Sequence, residues 1–174
     1  MDNKPIILFV NAHNAFESLE YLLPTKMPDF RFIFAYTIEE AMEKIGLHKI
    51  DGMITHMQLP GLNEDSDLLG MIERDQNAGY QTYLVEDLMK SYGGIDLTKK
   101  IIEEFPENDH LVSQGLLKIP TIYFTGMSPE KEIETRLLHL HLMLKFKIIW
   151  LPVPSTELFD LVKQFFKIYF PQSS

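Results

Sequence analysis

The chain has 174 residues, 45% of them hydrophobic and 24% charged, and carries a net charge of -9. That size and composition fit one globular domain with a full core and exclude a fibrous or wholly disordered chain, while the acidic balance argues against general attraction to nucleic-acid backbones or anionic membranes. The absence of cysteine removes disulfides, thiolate metal sites and cysteine nucleophiles together.

The first apolar run holds five residues, too few for a signal-peptide core, and no run approaches the roughly 18 apolar residues of a membrane span. The expected compartment is the cytoplasm. The run itself, residues 6–10 (Ile-Ile-Leu-Phe-Val), reads as a central parallel strand buried on both faces. Asn14 is placed to cap a helix over 15–23, and Pro24 and Pro28 bracket a polar turn before a second strand over 30–36. Thr37 and Glu40 have capping-box spacing, which opens a helix to about Ile45 that closes at Gly46. Met53, Ile54, Met57 and Leu59 form a third strand ending at Pro60-Gly61. In a parallel sheet such a strand delivers its last side chains to the carboxyl edge, where open α/β sheets keep their sites. The residue delivered here is His56.

Residues 62–92 interrupt the rhythm and read as an insertion, with short apolar faces at Leu68, Leu69, Met71 and Ile72 and at Tyr83, Leu84, Leu88 and Met89. After Gly93-Gly94 a helix is predicted over 95–105, then a fourth strand over 119–125. Ser128 and Pro129 start a helix predicted to run to about Leu144. A fifth strand over 146–151 precedes a closing helix capped by Ser155 or Thr156. Five β-α units in alternation predict an α/β fold, a doubly wound five-stranded parallel sheet of order 2-1-3-4-5 with the insertion after strand 3, all in one domain over 1–174.

With these elements placed, the chain resembles the receiver domain of bacterial response regulators. The matching landmarks are Ile7 to Val10, Asp51 to Gly61, Gly94 to Leu97, Ile119 to Gly126, and Leu151-Pro152 followed by Glu157-Leu158. The resemblance implies phosphoryl transfer to an aspartate, with Mg²⁺ held by an acidic pair and with a threonine or serine and a lysine contacting the phosphoryl group. At those positions this chain has Asn11 and Ala12 for the acidic pair, His56 for the acceptor and Leu151 for the lysine; only Thr125 is retained. Mg²⁺ needs carboxylate oxygens, so the resemblance implies the fold without its chemistry, a pseudo-receiver.

Other patterns carry less. His13 and His56 with Asn11 fall short of the three or four ligands of a transition-metal site. His139 and His141, two apart on a predicted helix, point to different faces and are expected on a partly exposed surface. Gly93-Gly94 lacks a phosphate-loop pattern, and the acidic run 63–67 lacks calcium-loop spacing. The expectation is therefore a non-enzymatic signalling module, without cofactor or nucleic-acid partner, that binds a protein. The alternative is a small-molecule or metal-binding domain using the vacated edge pocket. A homodimer is expected through the fourth and last helices, with Leu140, Met143, Phe166 and Tyr169 at the contact, because those helices hold more apolar residues than one core-facing stripe requires.

Overall fold

The computed structural model describes residues 3–11, 17–58, 92–125, 130–151 and 153–171. The insertion expected at 62–92 therefore lies outside the described residues, apart from Tyr92, as do Ala12, His13, Asn14 and Ser128.

Five strands, β1 (Ile6–Val10), β2 (Arg31–Ala35), β3 (Gly52–His56), β6 (Thr121–Thr125) and β7 (Phe146–Trp150), form one parallel sheet in the order β2-β1-β3-β6-β7. In terms of these five strands the order is 2-1-3-4-5, as the alternation of elements predicts. The interior strands are apolar runs because helices cover both faces, leaving every residue of β3 and β6 buried. On one face α1 (Glu17–Lys26) and α5 (Ser155–Tyr169) pack over Ile7, Phe9, Ile54, Ile122 and Phe124. On the other, α2 (Ile38–Leu47) and α3 (Gly93–Glu104) cover Leu8, Val10 and Met53. Next to them α4 (Glu130–Leu138) sets Ile133 and Leu137 against Tyr123.

Thr37 caps α2 as expected, with Glu40 N donating to Thr37 Oγ1 at 3.1 Å, but the reciprocal bond of a capping box is shifted by one residue: Glu40 Oε2 accepts from the Tyr36 amide, just before the cap, at 3.0 Å. Elsewhere local expectations give way. Pro24 lies inside α1 and does not end it, and α2 continues past Gly46 to Leu47. The cap of α5 is Pro154, with Ser155 its first helical residue.

The largest departure is the fourth helix, which stops at Leu138. The chain then turns so that His141 bridges to Leu117 and the Leu117 amide donates to Leu140 O at 2.7 Å. Leu117 belongs to a short antiparallel hairpin, β4 (Val112–Ser113) and β5 (Leu116–Leu117), that the sequence pattern does not announce. Its two-residue turn, Gln114 and Gly115, has positive φ at both positions, the geometry of the tight hairpin turns. A short turn, Leu142–Leu144, with positive φ at Met143 and Leu144, leads into β7.

The fold buries part of the surface expected from the sequence. Phe166 is fully buried and packs on Phe30 with ring centroids 6.0 Å apart, so it belongs to the core. Leu140 is half-buried against the Tyr123 cluster, and Tyr169 is half-buried beside Phe165 with the Lys145 ammonium 5.8 Å above its ring. Of the four contact residues expected, only Met143 is fully on the surface, at 79% exposure.

Candidate functional site

Parallel pairing sets the geometry of the carboxyl edge. Val10 pairs with Thr55, and carrying that register one residue further brings Asn11 beside His56. His56 pairs with Phe124. Strand alternation puts Asn11 and His56 on the face covered by α1 and α5, since Phe9, Ile54 and Phe124 pack there. Thr125 follows Phe124 and belongs to the opposite face of the pleat. Leu151, whose amide donates to Thr125 O at 2.8 Å, packs its side chain on the same apolar cluster as Phe9 and Phe124. The fold thus gathers Asn11, His56 and Leu151 at one end of one face, with Thr125 adjacent. Ala12 lies outside the described residues.

The chemistry of these groups is that of a neutral site. Burial pushes the His56 imidazole down to about 4, against a smaller opposing effect from its hydrogen bond to the Gln58 backbone. His56 is therefore uncharged at neutral pH. Asn11 is 1% exposed; its amide nitrogen donates to Ala35 O at 2.9 Å, but neither side-chain amide atom has a hydrogen-bond partner. An unpaired buried amide costs about 1–3 kcal/mol. Thr125 is fully buried. The Leu151 side chain adds hydrocarbon, and no charge, to this edge. Among the described residues no three of His, Cys, Asp and Glu come together as a metal site.

The end of α3 closes on this edge. Gly94 N donates to Met57 O at 3.0 Å, and a Cβ on Gly94 would sit 3.1 Å from both His56 O and Met57 Cα. Only glycine allows that approach without displacing backbone. From Gly94 a buried polar chain leads away from the edge. Thr98 Oγ1 lies 2.9 Å from Gly94 O and 2.6 Å from Tyr123 Oη, which lies 2.7 Å from His141 Nε2. His141 is 2% exposed, not a partly exposed helix residue, because the helix ends before it and the hairpin draws it inward. The sequence reading missed this group. The available signal was a tyrosine at the centre of a buried strand, whose hydroxyl needs a buried partner.

The order of strands, the helices on both faces and the register at the edge decide the comparison with known structures. This is the receiver-domain fold. A two-component response regulator from Clostridium difficile is 19% identical with a TM-score of 0.56, over 94% of this chain and 97% of that one. The N-terminal domain of an uncharacterized protein from Wolinella succinogenes is 16% identical with a TM-score of 0.57, over 97% of this chain and 98% of that one. The receiver domain of a Pseudomonas aeruginosa sensor histidine kinase, with a magnesium ion in its active-site cleft, is 13% identical with a TM-score of 0.54, over 93% and 97%. No family model matches the chain, and no curated protein does. At 13–19% identity these likenesses show a shared fold.

Proposed function

We propose that the protein is a receiver-fold signalling domain that acts by binding a protein partner and undergoes no aspartyl phosphorylation. The observation that carries this is His56: a buried, uncharged imidazole ends β3, at the position that the receiver resemblance assigns to the acceptor. Asn11 supports it, since one amide oxygen is a poor substitute for a carboxylate pair toward Mg²⁺. Leu151 supports it too, because without its cation the site cannot balance a phosphoryl dianion. No acid/base pair or activated nucleophile is formed by these residues, so the reading includes no catalytic step. The test is an amide NMR titration with Mg²⁺ and then fluoroberyllate, a phosphoryl mimic. Unchanged resonances at Asn11, His56 and Thr125 support the reading, and saturable shifts there reject it.

For the partner, or for a second copy of the chain, the face proposed is that of α4 and β7. Leu138, Met143 and Leu144 are exposed there beside a groove of about 350 Å³ lined by Glu134, Phe146, Ile148 and Trp150. Contiguous apolar surface of this kind usually marks an interface. Light scattering of the wild type and of Met143→Glu separates the cases: a dimer lost in the variant supports a second copy, and a monomer in both leaves this face to a different protein.

One observation favours the second reading, a small ligand at the carboxyl edge. The unpartnered Asn11 amide offers both a donor and an acceptor. A thermal-shift screen with small molecules and metals discriminates, since a ligand at about 100 times its Kd stabilises by roughly 2.7 kcal/mol. No shift in wild type, or an equal shift in Asn11→Leu, rejects this reading.

A further inference from the structure

The buried polar chain ends at His141, two residues before a turn of unusual backbone. Between α4 and β7 the backbone passes through Met143 and Leu144, both with left-handed φ, 54° and 56°. Neither is glycine, asparagine or aspartate, the residues that enter this region readily. Both side chains are large, apolar and exposed, Met143 at 79% and Leu144 at 60%, so burial of the turn does not offset its strain. The strain must be held from the two ends. On the far side Thr121 N donates to Lys145 O at 3.0 Å. On the near side the anchor is His141, whose ring lies 5.0 Å from that of Phe146 and whose Nε2 meets Tyr123 Oη.

Counting protons gives the chain a direction. If His141 carries its proton on Nε2, it donates to Tyr123 Oη, Tyr123 donates to Thr98 Oγ1, and Thr98 donates to Gly94 O. Every proton is then used, and only the Nδ1 lone pair lacks a partner. With the proton on Nδ1, a buried N–H has no acceptor, and the two remaining hydroxyl protons cannot serve all three contacts. An orphaned donor is the costlier error. A second proton on His141 would create that orphan and add a charge in apolar surroundings.

We propose that the Thr98–Tyr123–His141 chain is a latch that holds the left-handed Met143–Leu144 turn in place, and that protonation of His141 opens it. The buried residues of the cluster around it are Met57, Ile95, Tyr123, Ile133 and Leu137, with Tyr92 and Phe146 among the half-buried residues packed against them. Its titratable groups are Tyr123, whose pKa burial raises so that it stays neutral, and Tyr92, whose ring has the Arg136 guanidinium 4.7 Å from its centre. Lys145, the charge nearest in sequence, sits over the Tyr169 ring. Burial alone accordingly lowers His141, to about 3. The latch goes beyond the signalling reading and is independent of whether the edge takes phosphate.

Two measurements test it on the full chain. The first is the tautomer of His141 by long-range ¹H–¹⁵N correlation at neutral pH. The latch predicts the Nε2–H form; the Nδ1–H form overturns it. The second is amide hydrogen exchange in the wild type and in Tyr123→Phe, which keeps the ring and removes the hydroxyl. The latch predicts exchange about tenfold faster across 139–145 with α2 unchanged, and a smaller acid-induced opening in the variant than in the wild type. Unaltered exchange across 139–145, or equal acceleration in α2 and in that segment, overturns it.

Discussion

Acidification removes stability through two buried histidines, His56 and His141. In the unfolded chain each titrates near 6.5, whereas folding lowers them to about 4 and about 3. A group whose folded pKa is lowered in this way is neutral in the native state, while the unfolded chain takes up its proton as pH falls below about 6.5. Stability is therefore full above about pH 6.5 and declines as pH falls toward the folded values. Between about pH 7.5 and pH 5.5 each histidine costs about 1.4 kcal/mol, one pKa unit's worth, and the two cost about 3 kcal/mol together. Most carboxylates remain ionised across that window, so they contribute little to the change. Urea denaturation at the two pH values measures it, with His56→Gln and His141→Gln each expected to remove about half of the pH dependence. A wild-type stability that is the same at both pH values refutes the reasoning, because the histidines would then be either solvated or already protonated in the fold.

Other expectations follow from packing. A Cβ on Gly52 would lie 2.8 Å from Ile7 Cδ1 and from Phe166 Cε1, so Gly52→Ala should destabilise by about 1–3 kcal/mol by overpacking, measured as a lower urea midpoint. Phe166→Ala should cost about 3–5 kcal/mol, whereas Met143→Ala should stay within about 0.5 kcal/mol. Equal effects in thermal melts would reject the assignment of Phe166 to the core. Gly94→Ala presses on backbone at His56 and Met57, and its amide shifts should concentrate at the end of β3. Replacing His56 by Asp supplies an acceptor but repairs neither the Mg²⁺ position nor Leu151, so phosphate uptake by that single variant would contradict the alignment of the edge.

The sheet could be read from the residues because its signal is local and redundant. Residues 6–10 are apolar throughout and residues 121–125 are rich in β-branched and aromatic residues, and helical periodicity separates such runs, which leaves few topologies. The edge could be read for the same reason: His56 ends a strand, and parallel register fixes its neighbours. What local pattern could not show was decided by distant contacts. Leu137, Leu138, Leu140, Leu142, Met143 and Leu144 look like one continuous amphipathic helix, but pairing of Leu117 with Leu140 and His141 ends it at Leu138. The hairpin responsible turns at Gln-Gly, a weaker signature than Asn-Gly or Asp-Gly. Phe166 looked surplus to a helix stripe because Phe30, which it packs against, lies far away in sequence.

On the reading proposed here, the receiver fold works without phosphorylation. Incubation with acetyl phosphate and Mg²⁺ followed by intact mass, with a phosphorylatable receiver domain as control, tests it most directly. The account predicts the unmodified mass for this chain while the control gains one phosphoryl group. A stable gain of one phosphoryl group on this chain would contradict it.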